Sequence, residues 1–581
     1  MTCAAFFDIM NMEIDVLKEN FSMKRLWWQD AIIYQLYIRS FFDKNNDGIG
    51  DFKGIIEKLG YLKNLGIDAI WVSPHYQSPM DDNGYDISDY YAVSKDYGSL
   101  QDVKELISKA HEIDIKIIFD LVLNHTSDEH EWFKAAKDPN HKDHDKYHDY
   151  YIWQKPKYDK EGKRTMPTNW RSWFGGPVWE YNEPTHEYYL HIFSKKMPDL
   201  NWRNNDMKKD LKKVIKWLID LGVDGFRVDA ANHLEKNWDF PDAHPGYENF
   251  SSLPKHHDYI SELGTELFKP NNIFTLGEAG GASKEEALQY CGYDSSEFDA
   301  LIQFGHTWAD NDFENMITPG KWAKGNLNIP SIKKSFDHWY KMLGDKGQNL
   351  IYWHNHDQPR VLSHYGDDVK YRVRSAKMLC HTLYFMPGTA IVYQGEELGM
   401  TNVDYEHLED FRDVEVFTEY DNFISFGATH EVAMQALRDR SRDNARSPFQ
   451  WSSEPYAGFS KVEPWIGVVG NYKDINFEDQ ESNPDSVFNL YKNVFKMRKD
   501  FGISRAEIEF YDIEHEQAYM YKVTTDTHDI FVMANFSNQP ATVWTDLESG
   551  YECILTNKDL RKLEGVMELE PYESMVFIKE Q

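Results

Sequence analysis

The sequence contains few cysteines for its length. Four occur in 581 residues, they are far apart, and no two of them form a CxxC spacing. This scarcity argues against a disulfide framework and against a cysteine-based zinc site, because both need cysteines at close or repeated spacing. We therefore expect reduced thiols and a cytoplasmic location. The four residues are Cys3, Cys291, Cys380 and Cys553.

Long apolar runs are also missing. No stretch approaches the roughly 18 apolar residues that a membrane-spanning helix needs, so we predict no membrane partner. The first 22 residues lack the basic start of a signal peptide and carry several acidic residues instead. We interpret residues 1–22 as an extension that precedes a domain beginning at Met23.

Basic residues are fewer than acidic residues. The chain has 63 Lys and Arg against 96 Asp and Glu, which gives a formal net charge of −33. A field of this sign repels nucleic acid and anionic membranes, so nucleic acid is not expected as a partner. Aromatic residues, in contrast, make up 15% of the chain. They fit either a large packed core or platforms on which sugars stack, and composition does not decide between the two.

Short β-rich segments alternate with amphipathic helical segments through most of the chain. Such alternation predicts a parallel sheet covered by helices. No glycine-rich phosphate motif follows the first strand, which argues against a dinucleotide-binding fold. Eight strands at this spacing fit a closed (β/α)8 TIM barrel better than an open sheet. The predicted strands cover residues 31–41, 69–74, 116–124, 225–230, 274–278, 301–308, 350–357 and 389–394.

The alternation is interrupted once and then ends. Residues 126–201 are rich in His, Asp, Lys, Tyr and Trp, and they would form a domain inserted after the third strand. Beyond residue 501 apolar residues recur with a period of two, which predicts a small antiparallel β domain over residues 502–581. The barrel would then consist of residues 23–125 and 202–501.

Acidic residues close three of the predicted strands. Asp229, Glu278 and Asp357 each follow a short apolar run that stops abruptly. In a β/α barrel, active-site groups lie at the C-terminal ends of the strands. Cleavage of a glycosidic bond needs one carboxylate to attack or stabilise the sugar cation and one carboxylic acid to protonate the leaving oxygen. The alternative is that these acids are structural salt-bridge partners.

Seven motifs resemble those of the α-amylase superfamily, and in particular its oligo-α-glucosidase branch. Four are similar to the family's signatures: DLVLNH at 120–125, GFRVDA at 225–230, GE at 277–278 and HNHD at 354–357. The others are DNGYD at 82–86, YQGEELGM at 393–400 and RDNARSPFQW at 442–451. The resemblance runs from about residue 24 to the C-terminus. It implies a (β/α)8 barrel with an inserted domain and a C-terminal β domain, and it implies a retaining glycosidase.

The resemblance also implies a role for each strand-end acid. Asp229 would be the nucleophile, Glu278 the general acid/base, and Asp357 would bind the sugar hydroxyls next to the reacting carbon. Arg227, two residues before Asp229 on the same strand face, would keep the nucleophile ionised. Burial and two neighbouring carboxylates would keep Glu278 protonated.

Other residues would bind the sugar around these acids. By the same resemblance, His125 and His356 would donate hydrogen bonds to the reacting sugar. Tyr85 and Phe174 would form the floor on which the sugar stacks, and Phe193 the wall of the next subsite. Each has a second interpretation, because a single histidine or aromatic residue is more often part of the core.

A charged pair would close the pocket. Asp82 and Arg442 resemble the pair that lies behind the terminal glucose in exo-acting members of the family, which remove one glucose from a non-reducing end. The alternative is a surface salt bridge, which would contribute little to stability.

The residue after the nucleophile is related to the type of glycosidic bond that family members prefer. Family members that prefer α-1,6 bonds commonly have valine there, and those that prefer α-1,4 bonds have threonine or alanine. Ala230 therefore favours maltose-type substrates, although one or two methyl groups change discrimination by only about 1–3 kcal/mol. An oligo-1,6-glucosidase remains the alternative. Met197 stands where close relatives often carry glutamine, and its effect on the substrate is open.

Other activities of the superfamily are less favoured. Sucrose isomerases have an Arg/Asp-rich loop before the fourth signature, and residues 316–326 contain no such cluster. Trehalose-6-phosphate hydrolases need cationic phosphate contacts, and no basic cluster can be assigned to the pocket. Catalytically inactive relatives have a membrane span and lack the acids. Hydrolysis of short oligosaccharides is the preferred hypothesis, and the oligomeric state is left open.

An acidic loop follows the first predicted strand. Residues 43–51, DKNNDGIGD, have oxygen ligands at alternate positions and a glycine for the turn, which is calcium-loop chemistry. An EF-hand would need glutamate where this chain has Gly54. By resemblance the loop would bind a structural calcium ion, and the alternative is an Asx-rich turn. The predicted ligands are Asp43, Asn45, Asp47, Asp51 and the carbonyl oxygen of Ile49.

Overall fold

The computed structural model describes residues 26–280 and 282–581, so the predicted extension of residues 1–22 lies outside the described residues. Eight parallel strands form the central sheet. They are β1 (Ile32–Leu36), β2 (Ala69–Val72), β3 (Lys116–Val122), β4 (Gly225–Asp229), β5 (Phe274–Glu278), β6 (Ala300–Ile302), β7 (Leu350–Ile351) and β8 (Thr389–Tyr393).

The strands are arranged as in a barrel. The hydrogen-bonded order is β6-β5-β4-β3-β2-β1-β8-β7. The two ends of that order also approach each other, with Cα atoms of β6 and β7 within 8 Å. Beside them, Tyr352 Oη donates a hydrogen bond to the carbonyl oxygen of Gln303 at 2.6 Å. The strands read as continuous apolar runs because their inner face packs in the barrel core and their outer face against helices.

Seven helices connect the strands, and an eighth follows β8. Their ends follow local signals: Asp51 caps the first helix by accepting a hydrogen bond from the Gly54 amide at 2.7 Å, and Gly66 ends it in a left-handed conformation. The helices are α1 (Phe52–Leu65), α2 (Leu100–Glu112), α3 (Asn205–Asp220), α4 (His256–Leu263), α5 (Lys284–Cys291), α6 (Ile329–Leu343), α7 (Arg372–Tyr384) and α8 (Val487–Asp500). None of the helices in the described part of the chain has the length and apolarity to cross a membrane.

A separate small sheet lies between β3 and α3. Its antiparallel strands are Trp153–Gln154, Trp179–Asn182 and Glu187–Leu190. They pack around a core that includes Trp170 and Val178. This inserted segment places aromatic side chains above the C-terminal ends of the barrel strands.

The chain ends in an antiparallel β domain. Five strands pair in the order Glu507–Tyr511, Ala518–Thr524, His528–Asn535, Ser574–Glu580 and Glu552–Thr556. Strands Ala541–Trp544 and Val566–Leu569 form a second, two-stranded sheet. The predicted fold class, a (β/α)8 barrel with an insertion after the third strand and a C-terminal antiparallel domain, is thereby confirmed. The domain boundaries themselves stay a prediction.

Three strands differ most from the sequence-based prediction: β1 ends at Leu36 rather than at residue 41, and β6 and β7 also differ. β6 covers Ala300–Ile302 rather than residues 301–308, and β7 ends at Ile351 rather than at residue 357. Asp357 consequently lies on the loop after β7 and not at a strand tip. In residues 354–357 the His356 carbonyl oxygen accepts from Arg446 Nε and the Asp357 amide donates to Asn355 Oδ1, so these backbone groups pair with side chains and not with a neighbouring strand.

Candidate active site

A cavity of about 280 Å³ opens at the C-terminal ends of the barrel strands. Ten of the twelve residues predicted to be catalytic or substrate-binding line it, and Arg227 and His356 lie directly behind its wall. The predicted lining residues are Asp82, Tyr85, His125, Phe174, Phe193, Asp229, Ala230, Glu278, Asp357 and Arg442. Residues from the barrel, the inserted segment and the loops after β7 and β8 thus meet at one place.

One guanidinium brings the first two acids together. Asp229 and Glu278 end the neighbouring strands β4 and β5. Arg227 Nη1 donates to Asp229 Oδ1 at 2.6 Å, and Arg227 Nη2 forms an ion pair with Glu278 Oε2 at 2.7 Å. The Ala230 amide also donates to Glu278 Oε2 at 3.0 Å. Both carboxylates are therefore held against the same cavity by a fully buried arginine.

Arg227 has a third carboxylate partner that sequence reasoning left without a role. Asp120, on β3, is fully buried, and its Oδ1 accepts a hydrogen bond from Arg227 Nη1 at 2.6 Å. Trp71 Nε1 donates to Asp120 Oδ2 at 2.8 Å. Asp120 opens the first family-like motif, so the signal was in the sequence. Its contact with Arg227 depends on strand register and could not be read from the motif.

The charges around Asp229 affect its pKa. Burial raises the pKa of Asp229 well above its ordinary value; Arg227 opposes this, and the charges of Glu278, Asp120 and Asp357 add to it. The sequence had led us to expect that Arg227 keeps Asp229 ionised. One arginine faces three carboxylates, however, and Asp229 and Glu278 share one cavity. Arg227 alone therefore does not set the charge of Asp229.

Asp357 lies among cations. Its Oδ1 accepts from Arg446 Nη2 at 2.8 Å and from Arg442 Nη1 at 3.5 Å, and its Oδ2 lies 3.1 Å from His356 Nε2. Burial alone would raise the pKa of Asp357, but these neighbours hold it below its ordinary value. Burial also lowers the pKa of His356 to about 3, so the imidazole is neutral near pH 7 and the two arginines keep Asp357 ionised.

The protonated nitrogen of His356 follows from its hydrogen bonds. Gln35 Nε2 lies 2.8 Å from His356 Nδ1, and an amide nitrogen only donates, so Nδ1 is the acceptor. His356 Nε2 therefore carries the hydrogen and faces both Tyr85 Oη, at 2.7 Å, and Asp357. The Tyr85 and His356 rings are nearly parallel, with centroids 5.3 Å apart. This stack fixes the orientation of Tyr85 at the cavity wall.

His125 is oriented in a similar way. Its Nδ1 lies 3.3 Å from Asn124 Nδ2, and its Nε2 lies 3.2 Å from the Tyr85 carbonyl oxygen. Burial lowers the pKa of His125 to about 4, so this side chain is also neutral near pH 7. Its neutral Nε2–H points to the part of the cavity that contains Tyr85.

A charged cluster closes one end of the cavity. Arg442 Nη2 donates to Asp82 Oδ1 at 2.9 Å, and both side chains are buried, so the pair is not a surface salt bridge. Asp413, which sequence reasoning missed, accepts from Arg442 Nε at 2.7 Å and from Arg442 Nη2 at 2.5 Å. The pKa of Asp413 falls to about 2, because Arg442 outweighs the opposing effect of burial. No sequence motif marks this residue, which lies between β8 and the helix Val414–Ser425.

The aromatic residues line the cavity between its closed end and the acids. The Phe174 ring lies under the Arg442 guanidinium, 4.8 Å from its centre, and 5.5 Å from the Phe193 ring. Phe193 also contacts the His125 ring edge-on, with centroids 5.4 Å apart. Met197 is buried in the same wall.

Six lining residues were not predicted. Lys321 and Glu415 form an ion pair at 2.6 Å, and Glu415 Oε2 also lies 3.6 Å from Arg442 Nε. Gln358 lies on the loop after β7, Lys321 in a single 3-10 turn and Glu415 in the first turn of a helix, and no sequence motif marks any of them. The complete set is Trp173, Met197, Phe304, Lys321, Gln358 and Glu415, of which Met197 had been noted without a role.

The acidic loop after β1 has the geometry of an Asx-rich turn. Asp43 Oδ1 accepts from the Asn46 amide at 2.6 Å, and Asp43 Oδ2 accepts from the Gly48 amide at 2.8 Å. Asp51 Oδ2 accepts from the Asn45 amide at 3.0 Å. Asp47 Oδ1 accepts from the Ile49 amide at 2.9 Å. The donor set is all oxygen, as calcium requires, yet in the described ranges no three His, Cys, Asp or Glu side chains converge as metal ligands. Calcium binding here stays a prediction.

The fold and the acid cluster define a glycoside hydrolase of the α-amylase type. A family model described as the alpha amylase catalytic domain matches residues 35–505. The chain therefore belongs to the α-amylase family, and it is an enzyme of that family.

Known relatives indicate the branch of the family to which the chain belongs. The chain is 41% identical to an oligo-1,6-glucosidase of Bacillus cereus over 571 residues, which cover 96% of this chain and 100% of the relative. It is 38% identical to an alpha-glucosidase of Pediococcus pentosaceus, over 95% of this chain and 98% of that protein. The solved structure of a Bacillus licheniformis trehalose-6-phosphate hydrolase superimposes with a TM-score of 0.88 at 37% identity, covering 95% of this chain and all of that chain. The chain lies in the oligo-α-glucosidase branch.

Proposed function

We propose that this protein is a retaining, exo-acting α-glucosidase that removes terminal α-linked glucose from the non-reducing end of short oligosaccharides. The observation that carries the proposal is the sharing of one buried guanidinium by Asp229 and Glu278 at the wall of a cavity whose far end is closed by Arg442. A cavity closed at one end accepts one terminal sugar, and a pair of carboxylates on neighbouring strands can cleave the bond beyond it.

The first step forms a covalent bond to the protein. Asp229 Oδ attacks the anomeric carbon, the bond from that carbon to the glycosidic oxygen breaks, and Glu278 transfers its proton to the departing oxygen. The 2.6 Å contact with Arg227 favours the ionised form of Asp229. Glu278 Oε2 is held by Arg227 and the Ala230 amide, which leaves Oε1 to protonate the glycosidic oxygen.

The second step releases glucose. Glu278, now ionised, accepts a proton from a water molecule, whose oxygen attacks the anomeric carbon and displaces Asp229. Two displacements on opposite faces return the α configuration. Asp357 would accept hydrogen bonds from the hydroxyls next to the reacting carbon. The neutral His125 and His356 each have one N–H, which faces Tyr85 or Asp357, so they would orient these residues around the same sugar.

For the linkage, we propose α-1,4 bonds and therefore maltose-type substrates. The support is Ala230, which lines the cavity directly beside the acid pair and has only a methyl group there. A small side chain at this position leaves room for the leaving glucose. The energetic difference is of the order of 1–3 kcal/mol, so the preference is graded rather than absolute.

An oligo-1,6-glucosidase is the second candidate, and the names of the most similar relatives favour it. Disaccharide isomerases and phosphosugar hydrolases have less support from the cavity. Lys321 is the one lysine that lines it, and this lysine is already paired with Glu415. A phosphate would have to compete with that carboxylate. The three cysteines in the described ranges are free thiols, which supports our proposal of a cytoplasmic enzyme.

The decisive experiment is turnover of p-nitrophenyl α-glucoside by the wild type and by Asp229→Ala. We expect the variant to lose at least 1,000-fold in kcat, because no other carboxylate can form the ester. Polarimetry or NMR of the first product should show α-glucose. Turnover that is unchanged in Asp229→Ala, or release of β-glucose, would contradict the proposed mechanism. The same assay with maltose, isomaltose, sucrose and trehalose ranks the linkages by kcat/KM.

A further inference from the structure

Trp173 is the most exposed aromatic residue of the cavity wall. Its side chain is 38% exposed, whereas Tyr85 is 5% exposed and the rings of Phe174, Phe193 and Phe304 are buried or half-buried. Large exposed aromatic side chains that line a cavity offer apolar area to a ligand at little entropic cost, because only two torsions need to be fixed. Trp173 therefore differs from the aromatic residues that enclose the terminal glucose.

The position of Trp173 along the cavity follows from its neighbour. Phe174 packs against Arg442, which belongs to the closed end. Trp173 instead contacts the loop after β4, where its ring stacks on Tyr247 with centroids 4.0 Å apart and planes 12° apart. The two consecutive aromatic residues thus point to different parts of the site. Trp173 lies toward the open mouth, where the leaving part of the substrate must be.

Contacts around the Trp173–Tyr247 stack hold the Trp173 side chain in one orientation. The Trp173 amide donates to the Ile192 carbonyl oxygen at 2.9 Å, and Phe250 contacts the Trp173 ring edge-on at 6.1 Å. On the other side of the loop, Gly175 has φ +83° and packs so closely on the helix Val414–Ser425 that a Cβ would lie 3.0 Å from Glu419 Oε1. One face of Trp173 is thus covered by Tyr247, while the residue lines the cavity and stays 38% exposed.

We propose that the Trp173–Tyr247 pair is the platform for the leaving sugar, the part of an oligosaccharide beyond the bond that is cleaved. Trp173 stacks on a pyranose ring, and Tyr247 positions Trp173 without touching the substrate. This inference rests on the proposed exo-glucosidase function. It predicts that the pair selects for substrates with a sugar leaving group and leaves binding of the terminal glucose unchanged.

Two substrates distinguish binding of the leaving sugar from binding of the terminal glucose. α-Glucosyl fluoride has a terminal glucose and a fluoride leaving group, so it reports on the closed end and the acids alone. Maltotriose has two further glucose units that reach the mouth. For Trp173→Ala we expect kcat/KM on maltotriose to fall at least tenfold, mainly through KM, while kcat/KM on α-glucosyl fluoride stays within twofold of the wild type. Trp173→Phe should restore most of the loss, and Tyr247→Ala should cause a smaller rise in KM for maltotriose.

The control is Trp544→Ala, which removes a 68% exposed tryptophan from a strand of the C-terminal domain. It should leave both substrates unaffected. An equal loss on both substrates in Trp173→Ala would mean that Trp173 supports the glucose subsite or the fold, and no loss on maltotriose would mean that the platform binds nothing; either result overturns the inference. A wild type that hydrolyses neither substrate would instead refute the proposed function itself.

Discussion

Single arginines organise the charge of the cavity. Arg227 contacts three carboxylates, and Arg442 contacts another four, namely Asp82, Asp413, Asp357 and Glu415. Acidic groups therefore outnumber the cations around the cavity. Such a buried excess of carboxylates favours retention of a proton and attracts the positive charge that develops on a sugar ring. The arginines hold the carboxylates in place but leave part of their charge for the substrate.

Arg442 should be sensitive even to a conservative change. Its Nε and Nη2 together hold Asp413, and Nη2 also reaches Asp82, a geometry that the single ammonium group of lysine cannot reproduce. We expect Arg442→Lys to lower kcat/KM for maltose at least tenfold, chiefly by raising KM, because the closed end then holds the terminal glucose less firmly. Arg440→Lys is the matched control, since Arg440 is an equally buried arginine that pairs with Asp310 away from the cavity. Equal effects of the two substitutions would contradict this interpretation.

Ala230 combines a role in linkage with an unusual backbone conformation. Its φ is +46° and its ψ is +38°, in the left-handed region that branched residues avoid. We expect Ala230→Val to lower the kcat/KM ratio of maltose to isomaltose by about 10- to 100-fold, by filling space beside the leaving glucose. The strain should also lower the free energy of unfolding by about 1 kcal/mol. Ala230→Gly should relieve strain and keep the preference for maltose; a gain for isomaltose in the glycine variant would show that side-chain size is not the determinant.

At the level of secondary-structure elements, the strands carry two of the catalytic acids, and the segments that follow the strands carry most of the other cavity residues. The sequence predicted β4 and β5 and their terminal acids correctly, because apolar runs that end at a charged residue are a local signal. It predicted Asp357 at a strand tip, whereas the loop after β7 carries it. It missed Lys321 and Glu415, which line the cavity, and Asp413, which pairs with Arg442. No local pattern marks these residues, because only the folding of the barrel brings them to the site. Local patterns therefore predict the catalytic pair better than the closed end and mouth.

The turn after β8 contains a buried acid that should make stability depend on pH. Glu397 Oε1 accepts hydrogen bonds from Tyr34, at 2.7 Å, and from Tyr61, and Glu397 Oε2 accepts from the Gly395 amide at 2.9 Å. Burial nevertheless raises the pKa of Glu397 from 4.5 to about 7, against the effect of these donors. A raised pKa means that the folded state binds the proton more tightly than the unfolded state. The stabilisation is complete below pH 4.5 and is lost as pH rises to about 7.

We expect the Glu397 contribution to the free energy of unfolding to fall by about 3 kcal/mol between pH 4.5 and pH 7. Glu397→Gln, which stays neutral, should flatten this part of the stability profile. The measurement is denaturant or thermal unfolding of both proteins at several pH values in that window, with Asp512→Asn, at a surface turn, as a control for general charge effects. If the two profiles keep the same slope, Glu397 is ionised in the folded protein.

At the scale of the whole molecule, a net charge of −33 must be accommodated. Mutual repulsion of the acidic groups disfavours the compact state and is screened by salt. Negative charge is concentrated in the loop of residues 43–51, which contains three aspartates. Neutral donors, namely nearby backbone amides and the Ser460 hydroxyl, hydrogen-bond to Asp43 and Asp51 there. A divalent cation would neutralise this charge while the turn geometry is already present.

Calcium should therefore stabilise the protein more than its ionic strength explains. A ligand that binds only the folded state at 100 times its Kd contributes about 2.7 kcal/mol, so we expect millimolar calcium to raise the Tm of chelator-treated protein by several degrees. Asp47→Ala should abolish the shift, because Asp47 supplies a predicted ligand and closes less of the turn than Asp43. Magnesium at equal concentration controls for screening, since it needs a stricter octahedral geometry than this loop offers. An identical response to both cations, or none in the wild type, would mean that residues 43–51 form a turn without a bound ion.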